Sequence, residues 1–274
     1  MTDADLAAFR AAQRLAYRCV QEVGDGLVPG DTERDACHRM AEWLRAKGVT
    51  EWLHRPFAWF GDRTAFAGFR TPLAFFPTRT KLEPGMPFIL DVAPVIDGCT
   101  ADVGYTSWLD ECPVVERVLD DLAHHRALIA ELAPTRPLGD VYDAVVGLAR
   151  RQGYEIRHRA YPFGVLGHRV ERLPPPTSAF ARALGKTTIG AFGLRSLSAL
   201  GKLARDGAVP LWNDRFAASR PLPHGLWAVE PHLALRGFGA KFEEILVVDA
   251  DGARWLDDEL PHVRRWRRSP EVAA

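Results

Sequence analysis

The run FILDVAPVIDGCTADVGYTSW, Phe88 to Trp108, constrains this chain more than any other stretch. Phe88 to Ile96 is mostly apolar and β-branched, Asp97-Gly98 is a dipeptide favoured in two-residue hairpin turns, and Cys99 to Trp108 continues as a second strand. With Asp97 and Gly98 as the loop, Ile96 pairs with Cys99, Ala93 stands opposite Asp102, and Asp91 opposite Gly104. Asp91 and Asp102 then share a face as diagonal neighbours, roughly 7 Å apart at their side-chain bases. Two like charges on an apolar face repel and lose hydration, so they require a shared proton, an Arg or Lys partner, or a bound metal. Metal is the first choice. The plainer alternative is that one aspartate caps a turn or lies on a solvated face.

The remaining composition is that of a soluble globular protein. Of 274 residues, 47% are hydrophobic and 26% charged, enough length and apolar content for a substantial core. Basic and acidic residues both number 35, so no net field draws in nucleic acid or an acidic membrane. The one basic run, Arg264 to Arg268, reads as a solvated tail without a role. Cys19, Cys37, Cys99 and Cys112 include no Cys-x-x-Cys pair, which argues against a disulfide framework and a thiolate zinc site and points to a reducing cytoplasm. The start, MTDADLAAF, is acidic where a signal peptide is basic, and nowhere do about 18 apolar residues run together. The expectation is a chain neither exported nor membrane-spanning.

Helical periodicity covers Ala4 to Val23, and a second helix capped by Asp31 or Thr32 runs to about Lys47. Trp52 to Phe76 is rich in aromatic residues interrupted by Gly and Pro, as in short strands and loops around a pocket. Such residues are more often core than pocket lining. After the hairpin, Pro113 to Leu132 and Val141 to Gln152 are helical, and strands resume from Tyr154. Two helices followed by strands therefore occur twice, suggesting two halves of similar design. Residues 174–219 read as an irregular insertion or lid with one helix near Ser196 to Asp206. The final strands are Leu226 to Leu235 and Ala240 to Val248.

These last strands carry further acidic residues. Glu230 lies in an apolar strand, and Glu243 with Glu244 interrupts another. Adjacent strand residues face opposite ways, so one of Glu243 and Glu244 can point inward and the other be solvated. His168 follows a glycine and is an additional ring nitrogen, taken alone an ordinary hydrogen-bonded side chain.

Taken together, KLEPGMPFILD ending at Asp91, ADVGYT with Asp102, GlyHis with His168, LPHGLWAVEP with Glu230 and GAKFEEI with Glu243 resemble the pita-bread metallopeptidase family of methionine aminopeptidase, aminopeptidase P, prolidase and metal-free creatinase. Asp91 and Asp102 stand eleven residues apart, the family's interval between its first two ligands. The resemblance implies an α+β pita-bread fold over residues 1–274 as one catalytic domain, with two pseudo-symmetric halves and antiparallel sheet flanked by helices. It also implies a dinuclear metal site in which Asp91 chelates one ion, Asp102 and Glu243 bridge both, and His168 and Glu230 hold the second. Such an oxygen-rich set suits two divalent ions, Mn²⁺, Fe²⁺ or Co²⁺, with Zn²⁺ also admissible. The implied reaction is cleavage of an amide or peptide bond by a metal-bridging hydroxide, with Glu230 taking and returning the proton.

The resemblance breaks at two places. Where family members carry outer histidines, this chain has Ala74 and Pro175, a loss of two groups worth roughly 3 kcal/mol apiece in stabilising the reacting amide. His54, His224 and His232 are the candidates to replace them. Three functions are therefore open: a metallopeptidase-like hydrolase, which all five ligands favour; a same-fold dimetal iron or manganese enzyme performing other, including oxygen-dependent, chemistry on a small molecule; and a non-catalytic peptide-binding module. The expected partners are a small-molecule or peptide substrate and a second copy in a homodimer, with no nucleic acid and no membrane.

Overall fold

The computed structural model describes residues 1–215 and 218–268. It opens with helices α1 (Asp3–Asp25) and α2 (Glu33–Ala46). Each starts with a capping box: Thr2 and Thr32 accept from the backbone N–H of Asp5 and Asp35, whose carboxylates accept in return from the threonine N–H. Both expected helices are present, and Thr32 rather than Asp31 is the second cap.

The first sheet contains β1 (Glu51–Phe60), β2 (Pro87–Ile96), β3 (Cys99–Thr100) and β4 (Val103–Trp108). Ile96 pairs with Cys99 and Asp91 with Gly104, the register that the turn residues require. Asp97 (φ 48°) and Gly98 (φ 80°) are both left-handed, the pair of conformations that a twisted two-residue hairpin demands. The second arm is interrupted at Ala101–Asp102, where Ala101 N–H still donates to Pro94 O (3.0 Å). Asp102 therefore sits at a strand break.

Next come α3 (Pro113–Leu132) and α4 (Leu138–Arg151), the latter starting three residues before the expected Val141. Two short strands follow, β5 (Glu155–Ile156) and β6 (Gly167–Val170). Residues 174–219 are more regular than expected. They contain α5 (Ala179–Lys186), strands β7 (Thr188–Ile189) and β8 (Phe192–Gly193), helix α6 (Leu194–Arg205) and β9 (Leu211–Trp212). The β7–β8 pair joins the first sheet, with Phe192 paired to His54 of β1.

The chain ends in β10 (Gly225–Val229), β11 (His232–Leu235), β12 (Phe238–Lys241), β13 (Glu244–Asp249), β14 (Gly252–Trp255) and α7 (Pro261–Trp266). Each of the two long strands expected here is divided, one at Glu230–Pro231 and the other at Phe242–Glu243. Pro231 offers no N–H to continue a ladder, so the break falls beside Glu230. Strands β14-β13-β10-β6-β9 make a second sheet and β12-β11-β5 a third. Helix α1 packs on β2, α2 on β1, and α3 on β12 and β11, covering the sheets with one continuous apolar core. A smaller aromatic core of Phe57, Trp59, Phe66, Phe75 and Tyr161 lies beside β1, so these rings are buried packing. Among the described residues, no helix is long and apolar enough to cross a membrane.

Two sequence expectations are corrected. The basic run is a packed helix rather than a solvated tail: Trp266 is buried and Arg265 makes a bidentate pair with Asp120 at 2.7 and 2.8 Å. Glu244 is not solvated either. It is buried against Arg126 (2.6 and 3.1 Å) and His262 (3.0 Å), while Glu243 points elsewhere.

Glu33, at the start of α2, is buried and accepts from Phe60 N–H (3.0 Å), Arg63 Nε (2.7 Å) and both the N–H and hydroxyl of Thr78 (2.7 Å each). One carboxylate thus ties α2 to the end of β1 and to the loop ahead of β2. Truncation leaves the Arg63 guanidinium and two backbone donors without their acceptor. Glu33→Ala is expected to lower the free energy of unfolding by about 3 kcal/mol, read as a fall in the urea midpoint at unchanged slope.

Candidate metal centre

The breaks in the strands place the acidic side chains. Asp91 projects from the middle of β2, Asp102 from the gap before β4, His168 from β6, Glu230 from the end of β10, and Glu243 from the gap between β12 and β13. Backbone bonds fix these positions: Glu230 N–H donates to Leu166 O (2.8 Å), and Tyr17 of α1 donates its hydroxyl to Glu243 O (2.7 Å). All five expected ligands are buried, none more than 8% exposed. They converge on one centre.

Two histidines flank Asp102. His168 Nε2 lies 3.0 Å from Asp102 Oδ2, and His54 Nε2 lies 3.1 Å from Asp102 Oδ1 and 3.2 Å from Asp91 Oδ1. In each ring Nδ1 faces the carbonyl of the next residue, Arg169 at 3.1 Å and Arg55 at 2.9 Å. A ring that donates Nδ1–H to a carbonyl presents Nε2 to the carboxylates, the outer bond by which proteins orient a metal-ligating imidazole. Burial alone would push both rings down, but the Asp102 carboxylate outweighs it, raising His168 and holding His54 well above the ordinary histidine value with help from Asp91. For Asp102, burial is likewise outweighed, and the two rings hold its carboxyl far below the usual range.

Sequence reasoning missed one member of the centre. Lys241 Nζ donates to Asp91 Oδ2 (2.7 Å), Glu230 Oε2 (2.8 Å) and Glu243 Oε2 (3.0 Å), and its side chain is 0% exposed. Burial opposes the charge, but Asp91, then Glu230 and Glu243, keep the ammonium pKa well above that of an ordinary lysine. Burial also raises Glu230, and raises Glu243 well above the normal carboxyl value with the nearby Asp102 and Glu230 charges adding to it. The Tyr161 ring lies 5.2 Å from Lys241 Nζ, and its hydroxyl meets His232 Nδ1 at 3.2 Å.

The donors fit a divalent ion. Ligand atoms of Asp102, His168 and Glu243 lie within 4.8 Å of one another, as do those of His54, Asp91 and Asp102. Asp91 Oδ1 is buried, and beyond the 3.2 Å approach of His54 Nε2 it completes no hydrogen bond, which leaves it acceptor capacity for an ion. Of the three histidines weighed as replacements for the missing outer pair, only His54 contacts the expected ligands. His232 is buried with Nε2 on Thr64 O (2.8 Å), and His224 is exposed before β10. Ala74 lies in a short 3₁₀ turn and Pro175 is exposed.

Because Asp102 favours the charged form of both rings, the effect has a definite sign. A raised histidine pKa contributes stability below about pH 6.5 and loses it as pH rises through the folded values. In metal-free protein, histidine ring NMR is expected to show His54 and His168 titrating above 6.5, and Asp102→Asn to lower both, His168 further because Asp91 still supports His54.

The model of metallopeptidase family M24 matches residues 7–250. Among solved structures, the fold is similar to that of X-Pro aminopeptidase from Thermotoga maritima (TM-score 0.68, 17% identity, 93% of this chain and 61% of that one). It is also similar to methionine aminopeptidase from Rickettsia prowazekii (0.64, 16%, 93% and 98%) and to prolidase from Pyrococcus furiosus (0.64, 16%, 93% and 64%). The chain thus spans about three fifths of the length of the X-Pro aminopeptidase and the prolidase, and nearly all of the methionine aminopeptidase. Among curated proteins, none matches the chain in sequence.

Proposed function

The chain belongs to metallopeptidase family M24, and on that premise we propose that it is a metal-dependent hydrolase cleaving an amide or peptide bond at the centre of Asp91, Asp102, His168, Glu230 and Glu243. The observation that carries the reading is the convergence of these five side chains, from five separate places in the chain, on one buried site.

A divalent ion in this centre supplies Lewis acidity toward a carbonyl and lowers the pKa of water. The chain's own groups do the rest. Asp102 and His168 orient one another, and Asp102 is common to the two groups of clustered ligand atoms. Glu230 is the proton carrier: burial raises its carboxyl above the ordinary glutamate value, which makes it a stronger base. Mn²⁺, Fe²⁺ or Co²⁺ suits these carboxylates and imidazole, and Zn²⁺ is admissible. Loading with two ions on all five ligands requires Lys241 to give up three carboxylate oxygens.

A second reading, other chemistry on a small molecule in the same centre, is favoured by Ala74 and Pro175, which give no side-chain donor to a scissile amide.

Anaerobically prepared protein, loaded with Mn²⁺, Fe²⁺ or Co²⁺, is tested on a panel of dipeptides and short peptides. Hydrolysis is expected. Glu230→Gln is expected to lower kcat by 10²-fold or more, and Asp102→Ala to abolish both metal retention and turnover. Absence of hydrolysis across the panel by metal-loaded protein counts against the hydrolase reading and favours the small-molecule one.

A further inference from the structure

We infer that Lys241 is a resident cation holding one of the two cation places of this centre, so that the chain takes one divalent ion, on Asp102, His168 and Glu243. The inference rests on the metal-dependent reading above and deepens it.

Three observations carry it. An ammonium has three N–H donors, and each has its own carboxylate here: Asp91, Glu230 and Glu243, at 2.7, 2.8 and 3.0 Å. These are three of the five side chains that a two-ion site needs, and Lys241 takes one oxygen from each.

The lysine is also held at its base. Thr106 of β4 donates its hydroxyl to Lys241 O (2.7 Å) and accepts from Lys241 N–H (2.9 Å), clipping the end of β12 to the first sheet. Its Cα is thereby fixed beside the centre.

Finally, the fold contains a cradle for the stem. Gly104, paired with Asp91, has no positive φ that would call for glycine, yet a Cβ built there would clash with Lys241 Cε and lie 2.9 Å from Nζ. The missing side chain is the space that the lysine fills. What remains for a metal are two groups that share Asp102 and whose ligand atoms cluster within 4.8 Å, Asp102–His168–Glu243 and His54–Asp91–Asp102; because they share that carboxylate, one ion uses one of them, and we place it on the first, which consists of expected ligands alone.

The full chain and Lys241→Gln are stripped of metal, reloaded with excess Mn²⁺ under nitrogen, desalted, and analysed by elemental analysis and native mass spectrometry. About one Mn per chain is expected in the wild type and about two in Lys241→Gln. Gly104→Ala, which expels the stem and keeps every carboxylate, is expected to move towards two as well. Two ions in the wild type, none in the wild type, or equal counts in wild type and Lys241→Gln would each overturn the inference. Should the variants fail to fold even when prepared with Mn²⁺, the wild-type count decides alone. Peptide turnover is read separately: one ion without hydrolysis sinks the hydrolase reading and keeps the resident cation, and two ions with hydrolysis do the reverse.

Discussion

Four carboxylates removed from water in one place are the constraint on which the rest of the structure depends. Asp91, Asp102, Glu230 and Glu243 are each under a tenth exposed, and their mutual repulsion in a poorly polarisable interior would unfold the chain if nothing offset it. The offset comes from opposite sides. Lys241 binds three of them, and the His54 and His168 rings enclose the fourth. Burial also lifts the pKa of Glu230 and Glu243, which lowers the cost of protonating them. The centre is therefore self-compensating, and the surrounding sheets are built to hold that compensation in register.

That scaffold works by interruption. A continuous strand alternates its side chains and would send neighbouring acidic groups to opposite faces. Here the arm of the hairpin stops at Asp102, β10 stops at Glu230 beside Pro231, and β12 stops just before Glu243, freeing each carboxylate from strict alternation. The freed backbone is then tied by specific partners: Leu166 O for Glu230, Tyr17 for Glu243, and Thr106 for Lys241. Helix α1 contributes twice, packing on β2 and reaching the β12–β13 break through Tyr17. A helix far from the chemistry in sequence thus helps set its geometry.

Much of this was legible in the sequence where a local rule had only one outcome. Asp97-Gly98 permits one tight turn, and the turn sets the register that pairs Asp91 with Gly104. The Thr-x-x-Asp caps of α1 and α2 are equally local. What escaped was decided by tertiary partners. Glu244 looked as exposable as any strand glutamate until Arg126, from α3, and His262, from α7, enclosed it. Arg265 and Trp266 looked like a tail until Asp120 and the core received them. Lys241 did leave a trace: it stands two residues before Glu243, on the same face by strand alternation, and the residue opposite Asp91 is a glycine. A lysine was among the partners that two facing aspartates would accept; its identity required the third sheet to be folded against the first.

The same lysine separates two properties that a metal normally joins. In a centre balanced only by ions, metal removal leaves bare charge, and binding free energy becomes folding free energy. Here an ammonium that no chelator removes stays among three carboxylates, anchored through Thr106 and seated over Gly104. On the proposed reading, folding is thereby freed from metal supply while reactivity depends on it. The cost falls on chemistry. An ion on Asp102, His168 and Glu243 has fewer oxygens to share, and the ammonium spends its donors on protein carboxylates, so it has none left for a substrate carbonyl. On that reading, with Ala74 and Pro175 supplying no outer imidazole, the stabilisation of a reacting substrate falls to the single ion, to Glu230, and to His54, among the described residues the one additional histidine in contact with the expected ligands.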